Sequence, residues 1–149
     1  MQMFLSNAAA RLDHEPLMQL ARLVDWQPVE SQMQAEFWRE FFRKGGRAPY
    51  DHRAMLRALL VARWHGLSFP KLERALRVRL DFLLFCGFDP DGKLPSASTL
   101  NRFNARLSAD GVLDAMAAEV ERQLHGNGLE LCQAFGALTD LALLKQQLI

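Results

Sequence analysis

Apolar residues recur at intervals of three and four along most of this 149-residue chain, in short segments that proline, glycine and capping residues separate. This spacing is typical of amphipathic helices and predicts a mainly α fold. We expect a compact helical domain of about six to seven helices that contains helix-turn-helix units. The predicted helices run over about 16–24, 29–43, 52–65, 69–79, 81–88, 98–107 and 111–124.

Polar residues at the starts of these segments predict where several helices begin. Asp51 is a suitable N-cap for the third helix and Ser68 for the fourth, which carries Pro70 in its first turn. Ser96 or Ser98 would cap the helix over 98–107. Asp110 would cap the last long helix, which His125, Gly126, Asn127 and Gly128 end.

The C-terminal tail differs from the rest of the chain. Its apolar stretch over 134–144 is interrupted by Gly136 and Asp140, and periodicity alone fits a buried strand or a helix. We therefore divide the chain into a helical domain over 1–128 and a separate tail over 129–149.

Composition narrows the class of protein and its compartment. Half the residues are apolar and 23% are charged, which is a globular balance. No apolar run approaches the ~18 residues of a membrane span, so we expect no membrane partner. Two cysteines, Cys86 and Cys132, make no disulfide framework, and a reducing, cytoplasmic location follows.

Charge is strongly segregated along the sequence although the formal net charge is only +1. Residues 1–38 sum to −3 and residues 80–149 to −4, whereas residues 39–79 sum to +8, with eleven basic side chains against three acidic ones. A positive central segment of this kind predicts a polyanionic partner.

The third and fourth predicted helices form a candidate helix-turn-helix. They are joined by the short connection Gly66-Leu67-Ser68, and the second of them turns Lys71, Arg74 and Arg77 outward. In a helix-turn-helix the second helix enters the major groove of DNA while the first crosses the backbone. A helical hairpin with a solvated basic face would give the same pattern.

The helix over 98–107 is a second candidate reading helix. Its outward residues Asn101, Arg102 and Arg106 are of the types that hydrogen-bond adenine and guanine edges. Its start, with Ser98 and Thr99, could hold a phosphate on free backbone amides. An ordinary capped surface helix is the alternative.

Other motifs favour packing over chemistry. The aromatic residues Phe37, Trp38, Phe41 and Phe42 have helical spacing, which favours a core or dimer contact over base stacking. The four histidines lack metal-ligand spacing, and no phosphate loop, nucleophile elbow or paired catalytic carboxylates are evident, so we expect no metal site in this chain.

Several segments taken in order resemble the N-terminal domain of bacterial transposases of the "insertion sequence five" group. The resemblance covers about residues 13–107. It rests on DHEPL at 13–17, LVDW at 23–26, GRAPYD at 46–51, MLRALL at 55–60, WHGLS at 64–68, LERA at 72–75, FLLFCG at 82–87 and PSASTLNRF at 95–103.

The resemblance implies both a function and a missing catalytic part. In that family the helical domain binds the terminal inverted repeats of the element, and a ribonuclease-H-like domain cuts and joins DNA with an Asp-Asp-Glu triad and two magnesium ions. The segment over 136–144 resembles the first strand of that domain, with Asp140 at the first catalytic position, although Leu141 stands where the family usually has a small residue. The other two carboxylates have no counterpart here, so we expect this chain alone to be catalytically inactive and to need no cofactor.

We therefore expect a transposase DNA-binding domain whose partner is double-stranded DNA carrying terminal inverted repeats. Two alternatives stay open. In the first, the chain is a transposase-derived protein that binds and regulates full-length transposase, or forms a homodimer, through the aromatic residues. In the second, it is one half of a split enzyme in which Asp140 is active. A chain with no remaining role is a further possibility. The predicted DNA contacts are Arg43, Lys44, Arg47, Arg53 and Arg57 on phosphates, and Lys71, Arg74, Arg77, Ser98, Thr99, Asn101, Arg102 and Arg106 on the reading helices.

Overall fold

A computed structural model describes residues 7, 10–12, 15–31, 50–109 and 111–129. Seven helices and no strand lie within these described residues, which confirms the mainly α fold. We number them α1 (Pro16–Leu23), α2 (Trp26–Glu30), α3 (His52–His65), α4 (Phe69–Val78), α5 (Leu80–Cys86), α6 (Ala97–Ala109) and α7 (Val112–Gly126).

Helix α3 is the central element and has the predicted bounds. Its N-cap Asp51 accepts a hydrogen bond from the Arg53 amide at 2.8 Å, as the sequence predicted. Nine of its fourteen residues are buried, and Trp64 is 1% exposed. Helices α4, α5 and α6 pack around it, so α3 fixes where the other elements can lie.

The turn between α3 and α4 also follows the prediction. Gly66 ends α3 in the left-handed conformation, with φ 63°, and the Leu67 amide donates to the Ala62 carbonyl at 2.9 Å. The Ser68 hydroxyl then accepts from the Lys71 amide at 3.4 Å, and Pro70 lies in the first turn of α4. The chain therefore changes direction within three residues, and α4 packs beside α3.

Helices α4 and α6 bury apolar stripes in the same core and pack against each other. Leu72 and Leu76 are the buried residues of α4, and Leu100, Phe103 and Leu107 are those of α6. Helix α5 supplies Phe82 and Phe85 to the same core and contacts both α3 and α4. The polar sides of α4 and α6 consequently remain at the surface.

The N-terminal region departs from the sequence prediction in two places. Asp25 caps a short helix that begins at Trp26, three residues before the predicted start of a helix over 29–43, because its carboxylate accepts from the Gln27 amide. Residues 32–49 lie outside the described residues. Leu23 belongs to the apolar spacing that predicts the helix over 16–24, but it is 44% exposed, and Leu17, Leu20 and Val24 form the buried side.

Helices α6 and α7 differ in how their first turns are capped. The Ser96 hydroxyl accepts from the Thr99 amide at 3.2 Å, so Ser96 and not Ser98 caps α6. Helix α7 has Gly111 at its N-cap position, with φ 68° and no side-chain cap. The predicted cap Asp110 and most of the tail assigned to 129–149 lie outside the described residues, but Leu129 itself is buried in the helical core.

The side-chain amide of Gln123 ties α7 to the turn before α2. Its oxygen accepts from the Asp25 amide at 2.7 Å, and its nitrogen donates to the Asp25 carbonyl at 2.9 Å. On α5, Cys86 is fully buried, and burial raises the pKa of its thiol. Within the described ranges, no helix is long and apolar enough to cross a membrane.

The different burial of Leu100 on α6 and Leu23 on α1 predicts unequal losses of stability for the same substitution. Leu100→Ala removes a side chain that is 0% exposed, and we expect the free energy of unfolding to fall by about 2–5 kcal/mol. Leu23→Ala, at a residue 44% exposed, should lower it by less than about 1 kcal/mol. Urea denaturation measures both, and equal losses would contradict the described core.

The turn at Gly66 predicts opposite signs for two Gly→Ala substitutions. Gly66→Ala places a Cβ on a residue with φ 63°, and should destabilise the protein by about 1 kcal/mol. Gly126→Ala lies in helical backbone with open space around the new Cβ, and should stabilise by up to about 1 kcal/mol. Thermal unfolding of both variants tests the assignment, which fails if Gly66→Ala is neutral or stabilising.

Candidate nucleic-acid interface

The outward side of α4 carries three exposed cations at helical spacing. Lys71, Arg74 and Arg77 are all exposed, while Leu72 and Leu76 on the opposite side are buried. None of the three forms an ion pair with a carboxylate among the described residues. Their charge is therefore presented to solvent from one helix face.

The other described arginines of the positive segment are paired with carboxylates. The pairs are Arg53 and Arg57 with Glu30 at 3.1 and 3.6 Å, Arg63 with Asp114 at 2.7 Å, and Arg79 with Asp81 at 2.7 Å. Much of the positive charge counted over residues 39–79 is consequently neutralised by nearby carboxylates. The three cations of α4 are not neutralised in this way by any described residue.

Arg57, a predicted phosphate contact, is held inside the protein. Its side chain is 22% exposed, donates to the Phe85 carbonyl at 3.3 Å and lies over the Trp26 ring at 4.3 Å from the centroid. Burial lowers its pKa, and the carboxylate of Glu30 opposes that shift. These contacts give Arg57 a packing role between α2, α3 and α5.

The remaining predicted phosphate contacts fall into two groups. Arg53 has a side chain that is 63% exposed and pairs with Glu30 at the edge of a groove that Trp26, Ser31 and His52 also line. Arg43, Lys44 and Arg47 lie outside the described residues. The predicted set is therefore placed only in part.

The predicted residues of α6 lie at its surface. Asn101, Arg102 and Arg106 are exposed, whereas Phe103 and Leu107 of the same helix are buried. Because α6 packs directly against α4, the two candidate reading helices belong to one packed unit.

Two of the amides at the start of α6, which the sequence suggested could hold a phosphate, already have acceptors within the protein. The Ala97 amide donates to the Glu73 carboxylate at 2.9 Å, and the Thr99 amide donates to Ser96. A carboxylate occupies the position that an anion would need. Thr99 therefore retains only its side chain as a candidate contact, while the Ser98 amide has no acceptor among the described residues.

Sequence reasoning missed Glu73 and Val78. Glu73 reaches across from α4 to α6 over a separation of 24 residues, which no local pattern reveals. Val78, the last residue of α4, is 72% exposed and lies four residues after Arg74 on the same helix. Its exposure could have been suspected from its helical position relative to Lys71 and Arg74.

Helix α7 has the opposite charge character. It carries Asp114, Glu119 and Glu121 against Arg122, which pairs with Glu119 at 2.7 Å. Helices α4 and α6 together carry five basic residues and one acidic residue. A polyanion therefore meets favourable charge at α4 and α6 and unfavourable charge at α7.

Residues of the kinds that bind metal ions are dispersed. Among the residues with described positions, no three His, Cys, Asp or Glu side chains are grouped so that they could hold a metal ion. Asp140, the candidate catalytic carboxylate, lies outside the described residues.

Comparison with known families identifies the class of this chain. Residues 6–106 match the family model described as "Transposase domain (DUF772)". Because the match spans more than half of the 149 residues, the chain belongs to this transposase domain family. Comparisons with curated proteins and with solved structures gave no significant match.

The contrast between Arg57 and Arg53 gives a matched test on one helix. Arg57→Ala leaves Glu30, whose side chain is 14% exposed, without its more buried partner, and should lower the free energy of unfolding by about 2 kcal/mol or more. Arg53→Ala removes the more exposed partner, leaves the same carboxylate paired with Arg57, and should cost less than about 1 kcal/mol. If urea denaturation gave Arg57→Ala the smaller cost, the packing role would be wrong.

Proposed function

We propose that this chain is the DNA-binding domain of a transposase, and that it recognises the terminal inverted repeats of an insertion sequence in DNA transposition. In this proposal α3 and α4 form a helix-turn-helix, α4 enters the major groove, and α6 contributes a second set of contacts. Membership of the transposase domain family supports a partner that is DNA.

The single observation that carries the proposal is the unpaired basic face of α4. Lys71, Arg74 and Arg77 are exposed and have no carboxylate partner among the described residues, in a segment whose other described arginines are paired. Phosphate neutralisation supplies most of the non-specific affinity for DNA, and arginine also binds guanine edges through two hydrogen bonds. The exposed Val78 on the same helix suits contact with a thymine methyl group.

Roles can be divided between the proposed contacts. Arg74 and Arg77 are candidates for guanine contacts, while Asn101 on α6 is of the type that pairs with adenine. Arg43, Lys44, Arg47 and Arg53 would mainly bind phosphates and position the domain without specifying sequence, whereas Lys71, Arg102 and Arg106 belong to the reading helices. Arg57 is left out because its guanidinium is engaged by Glu30, Trp26 and Phe85.

The proposal concerns DNA binding alone. Strand cleavage and joining would belong to a ribonuclease-H-like domain that uses magnesium, as the resemblance to transposases implies. We infer a cytoplasmic protein that associates with the nucleoid when it is bound to DNA.

Binding to defined duplexes tests the function directly. One duplex carries the terminal inverted repeat of the insertion sequence, and the other has the same bases in shuffled order, each at about 50 and 200 mM salt. We expect preference for the repeat at both salt concentrations. Equal, salt-sensitive binding would leave a basic surface that does not read sequence, and no binding would favour the protein-partner alternative.

Alanine variants assign the contacts to α4. Replacing both Arg74 and Arg77 should weaken binding to the repeat and, because two positive charges next to the DNA are lost, should also reduce the slope of log affinity against log salt. Arg122→Ala is the matched control, since Arg122 is also an exposed helical arginine but lies on the acidic helix α7. If the double variant kept the affinity and salt slope of the parent protein, α4 would not be the contacting helix.

A further inference from the structure

Glu73 is the one acidic residue on the two helices that carry the proposed DNA contacts. Its side chain does not join Lys71, Arg74 and Arg77 on the exposed face of α4. It is partly buried, and a carboxylate oxygen accepts a hydrogen bond from the Ala97 amide at 2.9 Å. The carboxylate therefore lies between α4 and the start of α6.

The bond meets a specific need of α6. The first amides of a helix have no partner within the helix, and the N-terminus carries a partial positive charge. Ser96 provides acceptors for the Thr99 and Leu100 amides, through its hydroxyl and its carbonyl respectively. Glu73 provides one for Ala97 through a carboxylate oxygen.

The same bond connects two elements that the chain joins only through α5 and the turn over 87–96. The apolar contacts of Leu72 and Leu76 with the core are non-directional. A hydrogen bond between one named carboxylate and one named amide has a defined length and direction. It therefore specifies which part of α4 lies beside the first turn of α6.

We propose that Glu73 is a positioning residue for DNA recognition, which holds the start of α6 against α4 so that the two basic faces keep a fixed relation. This inference rests on the proposed function of the α4 and α6 surfaces. Base contacts require side chains placed to within about 0.5 Å, so loss of the bond reduces discrimination between sequences more than it reduces affinity for DNA in general. Glu73 itself does not touch DNA.

Three substitutions separate position from charge. Glu73→Gln removes the charge but keeps an oxygen that can accept from Ala97, whereas Glu73→Ala removes both. Glu73→Asp keeps the charge, but its side chain is shorter by one methylene group. A positioning role predicts that Gln behaves like the parent protein and that Ala and Asp resemble each other. A charge effect alone predicts that Ala and Gln resemble each other.

The first measurement uses the free protein. Hydrogen exchange of the Ala97 amide, followed by NMR, should be about 10-fold faster in Glu73→Ala and Glu73→Asp than in the parent, and close to the parent in Glu73→Gln. Glu121→Gln, on the exposed side of α7, is the control and should leave this amide unchanged. Unchanged exchange in Glu73→Ala would overturn the positioning role without reference to DNA.

The second measurement uses the repeat and shuffled duplexes. The ratio of their dissociation constants should shrink by about 10-fold in Glu73→Ala and Glu73→Asp and stay within about twofold in Glu73→Gln. Equal ratios in all variants would overturn the inference. If the parent protein itself showed no preference for the repeat, the proposed function would fail, and the exchange of Ala97 would still decide whether Glu73 fixes α6.

Discussion

Burial of α3 is the constraint on which the rest of the described structure depends. Nine of its fourteen residues are buried, and α4, α5 and α6 are all arranged in contact with it. The left-handed Gly66 then turns the chain, and α4 has one face on the core and the other in solvent. The exposed basic face of α4 is thus a consequence of how completely α3 is enclosed.

Pairing of charges decides which part of the positive segment remains available to a partner. Arg57 lies between α2, α3 and α5. The free-energy cost of removing its guanidinium from water there is offset by Glu30 and by the Trp26 ring. Arg63 and Arg79 are matched by carboxylates of α7 and α5. What remains on α4 is a compact cationic surface, which indicates a polyanionic partner more directly than the charge count over 39–79 does.

Local signals predicted the central helices well because their causes are local. Asp51 and Ser68 fix helix starts, and the predicted bounds of α3 agree with the structure. The structure departs from the sequence prediction where residues far apart in the sequence form hydrogen bonds at a helix start. The start of α2 is stabilised by Asp25, whose backbone is held by Gln123, and the first amide of α6 is bound by Glu73. Similarly, the position of an arginine in the helical repeat predicts on which side of the helix it lies. Which carboxylate it pairs with depends on tertiary packing.

The most direct test of the account is a map of where DNA contacts the protein. Amide chemical shifts of the intact chain, measured by NMR while a duplex carrying the terminal inverted repeat is added, would report each helix separately. We predict the largest changes on α4 and the exposed side of α6, and small changes on the acidic helix α7. Changes centred on α7, with α4 unaffected, would contradict the central claim that the unpaired cations of α4 form the DNA-binding surface.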